Sequence, residues 1–180
     1  MFAKTNHGRT EAYASPGDLE KTFHDNAERL YTLCLLLTAD HSKAEQSFDQ
    51  AIDDSLQDDR VFLERAYFWA RRAIIKSAIR IVSPEPDRVH SVSAGTSSSA
   101  RPIVDSGELV RAITELAAFD RFVYVMSVLE GLVARDCCIL LSCTTAEFNS
   151  ARVRALQRLA NVPLSIKQSG FEPQMRAEGQ

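Results

Sequence analysis

The chain lacks any stretch of about 18 uninterrupted apolar residues, and no apolar run follows a basic N-terminal start. A membrane span and secretion are therefore not expected, and the reading places the chain in the cytoplasm. Cysteine is scarce: Cys34, Cys137, Cys138 and Cys143 do not make the framework of a small secreted domain, which fits a reducing compartment. The four histidines (His7, His24, His41 and His90) fall in tail, helix, turn and linker without ligand spacing. No glycine-rich phosphate loop and no Ser/His/Asp set suggests itself, so the chain reads as a non-enzyme with no cofactor. Cys137 and Cys138 followed by Cys143 could hold zinc in principle. Free cysteine in an apolar helix behaves as a small hydrophobe, however, and no metal is expected. Strand-like alternation between hairpin turns is missing as well, which leaves an all-α fold.

What is present is sorted charge. The formal total of -3 implies no nucleic-acid partner by itself. Between Arg60 and Arg80, however, stand six basic residues (Arg60, Arg65, Arg71, Arg72, Lys76, Arg80) against one acid, Glu64. Just upstream lies an acidic block, Asp53, Asp54, Asp58 and Asp59, which reads as a solvated helix end. Between Thr145 and Asn161 three arginines face one acid, Glu147.

Hydrophobic spacing divides the chain into two helical domains. Residues 1–17 read as a loose tail. Asp18 can cap a helix carrying Leu19, Phe23, Leu30, Leu33 and Leu37, ending near Thr38-Ala39-Asp40. Ser42 with Glu45 makes a capping box for a second helix through Phe48 and Ile52 to about Leu56. A third runs from near Asp59 through Phe62, Ala66, Trp69, Ala73 and Ile79 to Val82. These fill an N-terminal domain over 18–83. Residues 84–104, rich in Ser and Pro, predict a flexible linker, longer than ordinary connections within a domain.

The C-terminal domain, 105–162, is predicted to hold four helices. Asp105 caps the first, with Leu109, Ile113 and Leu116 on one face. Asp120 starts the next, through Phe122, Met126 and Leu129 to Gly131. The third spans about Val133 to Leu141. Thr144 and Glu147 form a capping box for the last, Thr145 to about Ala160, and residues 163–180 read as a disordered tail. Phe148, Ala151, Ala155 and Leu159 line the inner face of the last helix, which Val153 and Leu156 can widen. Thr145, Asn149, Ser150, Arg152, Arg154 and Arg158 spread over the rest. Two helices joined by a tight Ser142-Cys143-Thr144 turn, the second basic, have the form of a helix-turn-helix DNA reader. Asn suits paired contacts with adenine, and Arg suits guanine or phosphate. The bland alternative is a helical bundle whose arginines only solvate a face.

Ala112-Ile113, Leu116, Arg121, Leu129-Glu130-Gly131-Leu132, Leu140-Leu141, Cys143 and Ala151-Arg152, in order and without a gap, resemble the promoter-reading C-terminal domain of bacterial RNA polymerase sigma factors of the extracytoplasmic-function group. The resemblance implies that the last helix binds the upstream promoter element. The chain departs from the family at Ser142, where glycine is usual, and at Asn149, where a basic residue is usual. Glu147 also sets a carboxylate where phosphates approach. In the N-terminal half, Leu30-Tyr31, Leu36-Leu37-Thr38, Ala39-Asp40 and Ala44-Glu45 are similar, more faintly, to the family's other conserved domain. By that resemblance Glu45, Asp49 and Gln50 would dock on core RNA polymerase. Arg65 to Trp69, followed by Arg71, Arg72, Lys76 and Arg80, stands where the family reads and melts the downstream element.

Aromatics that stack on unpaired bases beside a basic face are what single-strand binding needs. Tyr67, Arg71, Arg72, Lys76 and Arg80 are the candidates there, and three adjacent aromatics cannot all face inward on a helix. Neutralising roughly six phosphates would give a log-log salt slope of about -5. The implied function is transcription initiation, with core RNA polymerase, promoter DNA and an anti-sigma protein as partner classes. Two other readings stand beside it: a divergent sigma-like DNA-binding regulator without initiation activity, and a structural helical protein-interaction module.

Overall fold

The computed structural model describes residues 13–57, 61–86 and 106–160. Most of the expected linker and both terminal tails lie outside the described residues. The fold is all-helical, and the only non-helical pairing among the described residues is a single bridge between Tyr13 and Phe62. The rings of that pair stack at 4.9 Å, and the Ala14 N–H donates to the Val61 carbonyl at 2.7 Å. Residues 13–17, read from sequence as part of the tail, are thus fastened to the fold.

Helix α1 (Pro16–Asp25) starts one turn earlier than the pattern suggested. Ser15 is the cap, Asp18 closes the capping box from the third position, and Pro16 occupies a first-turn site where its missing N–H costs nothing. The single long helix expected through Leu37 is broken at Asn26, whose backbone leaves helical geometry while its side chain donates to the Thr22 carbonyl at 2.8 Å. This local bond offers the backbone an alternative to the helix, which apolar spacing cannot register.

Helix α2 (Ala27–Thr38) buries Leu30, Leu33, Cys34 and Leu37, and ends on Ala39 in the left-handed region at φ 56°. Asp40, not Ser42, caps α3 (His41–Leu56), accepting from the Lys43 N–H at 2.8 Å. The buried stripe of α3, Ala44, Ser47, Ala51 and Ser55, is made of small side chains. It lies against a similar stripe on α4 (Ala66–Val82), Ala66, Ala70, Ala73 and Ser77, so the two backbones approach closely. Helix α4 begins at Ala66 after one 3₁₀ turn, Leu63–Arg65, later than expected, because Phe62 is held extended in its pairing with Tyr13.

After the undescribed segment come α5 (Ser106–Thr114) and α6 (Ala118–Tyr124), and α6 continues into a π-helical turn, Val125–Leu129. The Glu130 N–H reaches back five residues to the Val125 carbonyl at 2.9 Å. That extra residue rotates the register and leaves Leu129 exposed rather than inward. Leu109 is also exposed, so only Ile113 and Leu116 carry the expected face of α5. Gly131, at φ 66°, turns the chain into α7 (Ala134–Leu141), and Ser142, left-handed at φ 51°, turns it again into α8 (Thr145–Ala160).

The residues on either side of 84–104 share one hydrophobic core. Leu30, Leu37 and Ile74 belong to the same buried cluster as Phe122, Met126 and Phe148. At the junction sits Arg121, 6% exposed. Its guanidinium donates to the carbonyls of Leu37 (3.1 Å) and Thr38 (3.4 Å) at the end of α2, of Thr114 (3.3 Å) at the end of α5, and of Leu116 (2.8 Å) just beyond it. A cation at two helix C-termini satisfies orphan carbonyls and complements both dipoles. Arg121→Met should therefore lower the unfolding free energy by on the order of 3 kcal/mol, the scale of several buried acceptors left unpartnered. Arg121→Lys should restore less than half of it, since one ammonium cannot reproduce the planar fork. Urea denaturation checks both, and a loss near zero for Arg121→Met would remove Arg121 from its place in the junction.

Candidate nucleic-acid interface

Helix α8 has the start and end that its sequence predicts. The Thr144 hydroxyl accepts from the Glu147 N–H at 3.2 Å, while the Glu147 carboxylate accepts from the Thr144 N–H and hydroxyl, each at 2.8 Å. Glu147 is thereby folded onto the helix start, where the dipole favours it. Phe148, Ala151 and Ala155 are fully buried and fix the inward side against α6. Val153 and Leu156, expected to widen that side, are instead 52% and 44% exposed. With 3.6 residues per turn they stand away from the buried stripe.

The outward stripe is Ala146, Asn149, Ser150, Val153 and Gln157, all exposed and uncharged. Thr145 is exposed at the helix entry. Arg152 and Arg158 flank the stripe on either side, both exposed, and no carboxylate pairs with either among the described residues. Arg154 differs from the expectation: it does not face outward as a free cation. Its Nε and Nη2 donate to the two carboxylate oxygens of Asp120 at 3.0 and 2.5 Å, and Asp120 is 1% exposed. A buried carboxylate needs a partner, and the bidentate fork of Arg154 supplies it. Asp120, expected as a helix start, is thus the third residue of α6 and a core anchor.

The basic residues of α4 separate onto two faces. Arg71 stands over the Tyr67 ring at 5.8 Å and pairs with Glu130, also donating to the Glu130 carbonyl at 2.9 Å. It therefore ties α4 to the far half of the chain. Trp69, Arg72, Lys76 and Arg80 line the other face, where Arg80 pairs with Asp54 of α3. Tyr67 and Phe68 are exposed and Trp69 is half-buried. Two of the basic side chains expected to neutralise phosphate, Arg71 and Arg80, are held by carboxylates, so the salt slope of this face falls below the six-phosphate value. On α3, Glu45 and Asp49 lie one turn apart and exposed. Gln50 does not join them as an outward group, because its Oε1 accepts from the buried Ser77 hydroxyl at 3.3 Å.

Motif reading named Asp120 as a helix start and Glu130 within a family motif, but missed their roles as the carboxylates that hold Arg154 and Arg71. One signal was available: Asp120-Arg121 interrupts the apolar run Ala117 to Met126, and two charges in such a run must be partnered if they are buried.

Comparison with protein-family models, with curated proteins and with solved structures finds no match.

No group of three His, Cys, Asp or Glu suited to a metal ion occurs among the described residues, and no helix there is long and apolar enough to cross a membrane. Burial pushes the Cys34 thiol up to about 12, Cys137 to about 11 and Cys143 to about 12, so none of the three is a thiolate at neutral pH. The folded chain keeps a Cys34 proton that the unfolded chain releases above its ordinary pKa of 9.0. The stability this contributes is complete below that value and is lost as pH rises towards about 12. Denaturation midpoints should fall with rising pH above 9.0 and fall less steeply in Cys34→Ala. Parallel curves for the two proteins would contradict the assignment.

Proposed function

We propose that the chain is a sigma-factor-like transcription initiation protein. In this reading it binds core RNA polymerase and directs it to promoter DNA through a C-terminal helix-turn-helix formed by α7, the turn at Ser142–Thr144 and α8. The observation that carries the reading is the outer surface of α8: an uncharged stripe containing Asn149 and Ser150, with Arg152 and Arg158 on its two flanks. A reading helix in a major groove needs hydrogen-bonding groups of short reach towards base edges and cations towards the phosphates on both sides. The two halves on either side of 84–104, packed on one shared core, serve different partners. Glu45 and Asp49 face core polymerase, while Tyr67, Arg72 and Lys76 face the melted downstream strand. Docking on one polymerase raises the effective concentration of both surfaces at the promoter. An anti-sigma protein remains a partner class of this reading.

One observation favours the second reading, a sigma-like DNA-binding regulator without initiation activity. Arg71 and Arg80 are engaged by Glu130 and Asp54, which reduces the cationic surface available to a melted strand. In vitro transcription with core polymerase and a library of promoter fragments separates the two. Promoter-dependent transcripts are expected, and duplex binding without any transcript would favour the regulator.

The arginines of α8 divide by role. Arg152→Ala and Arg158→Ala should each weaken duplex binding across sequences and reduce the salt slope by about 1, with stability changed by less than about 0.5 kcal/mol. Arg154→Ala should instead cost roughly 3 kcal/mol of stability by leaving Asp120 buried and unpaired. Anisotropy titrations over a salt series, beside denaturation curves, measure both effects. Unchanged DNA binding in the Arg152 and Arg158 variants would favour a protein-interaction module.

A further inference from the structure

Between the end of α3 and the outer stripe of α4 lies a cleft of about 320 Å³. Ser55 and Ala73, both buried, form part of its wall. Arg72, Lys76 and Arg80 enter it from one side at successive four-residue steps, so three cations share one helical stripe. Asp54 enters from α3 and pairs with Arg80. That pair neutralises Arg80 and fixes one end of the cleft. Arg72 and Lys76 have no carboxylate partner among the described residues, and the Lys76 ammonium rests over the Trp69 indole at 5.6 Å.

The chemistry is that of an anion site with an aromatic wall. A half-buried guanidinium presents a fork that matches phosphate oxygens, and an adjacent ammonium adds a mobile point charge. Concave walls of low dielectric concentrate that field. The volume stands at the small end of ligand pockets, which run from roughly 300 Å³ upwards, and so suits one compact ligand rather than a polymer.

We propose that this cleft binds a free nucleoside monophosphate, its phosphate held by Arg72 and Lys76 and its base against Trp69. Lys76 is the moving part. Without ligand it covers the indole; drawn to a phosphate, it uncovers a ring face on which any base can stack. The Asp54–Arg80 pair excludes a second phosphate from the far end, because a further anion would meet the carboxylate. The site therefore favours a monophosphate over a triphosphate. The inference does not rest on duplex recognition by α8; it reassigns Arg72 and Lys76 from the melted strand to a free ligand, and its failure would leave the reading of α8 intact.

Trp69 is the chain's only tryptophan, so intrinsic fluorescence reports the cleft directly. Titration of the full chain with AMP and with GMP should give saturable quenching, confirmed by calorimetry. Adenosine and ribose 5-phosphate should each bind at least about tenfold more weakly, the equivalent of one lost charged contact or one lost stack. Lys76→Ala changes an exposed side chain and should fold as the parent does. It should raise the AMP dissociation constant about tenfold, a 1.4 kcal/mol change, and brighten the unliganded indole. ATP should bind more weakly than AMP. No saturable response to either monophosphate, an equal response to adenosine, or an unchanged constant in Lys76→Ala would overturn the proposal. Binding of a single-stranded oligonucleotide without any binding of AMP would overturn it too, and would assign the cleft to nucleic acid instead.

Discussion

Two adjacent buried charges, Asp120 and Arg121, set the geometry on which the rest of this fold depends. They point to different partners. Asp120 holds Arg154 of α8, and Arg121 holds the carbonyl ends of α2 and the segment after α5. Neither charge could remain in an apolar core without those partners, since an uncompensated buried ion costs several kcal/mol. One turn of α6 therefore fixes α8 on one side and α2 on the other, and the apolar side chains around it close a single core across the two halves of the chain.

This constraint decides which surfaces can face a partner. Because Arg154 is drawn inward, the rotation of α8 is set, and the uncharged stripe through Asn149 and Val153 must look outward with Arg152 and Arg158 on its edges. On α4 the same logic separates the cations. Arg71 is drawn to Glu130 in the other half, while Trp69, Arg72 and Lys76 turn towards α3 and open the cleft there. A chain of net charge -3 thus presents positive charge only where intramolecular carboxylates have not claimed it.

Much of this was legible in local sequence, and what was not has a common cause. The all-helical class, the bounds of α8 and the Thr144–Glu147 capping box follow from spacing and from a contact three residues long. The cap of α3 was misplaced by two residues because Asp40 and Ser42 are both competent caps, and their order does not choose between them. The break at Asn26 and the π-helical turn at Val125–Leu129 depend on backbone bonds that apolar periodicity averages over. Asp120 with Arg154 spans 34 residues, Arg71 with Glu130 spans 59, and Arg121 with Leu37 spans 84. Partners at such separations, one of them a backbone carbonyl that any residue could supply, leave no pattern in a single sequence. Hence the helices could be read, while the inward turn of Arg154 and the joining of the two halves could not.

The outward stripe of α8 as a duplex-reading surface is the claim from which the functional account follows, and it can be observed directly. An isotope-labelled sample titrated with duplex DNA at low salt, followed by amide and arginine side-chain NMR, reports contact residue by residue. The account predicts shifts at Asn149, Ser150, Val153 and Gln157 and at the Arg152 and Arg158 side chains, with the Arg154 signal and the amides around Asp120 unmoved. Shifts confined to α2 and α3, or a silent α8 at saturating DNA, would contradict it.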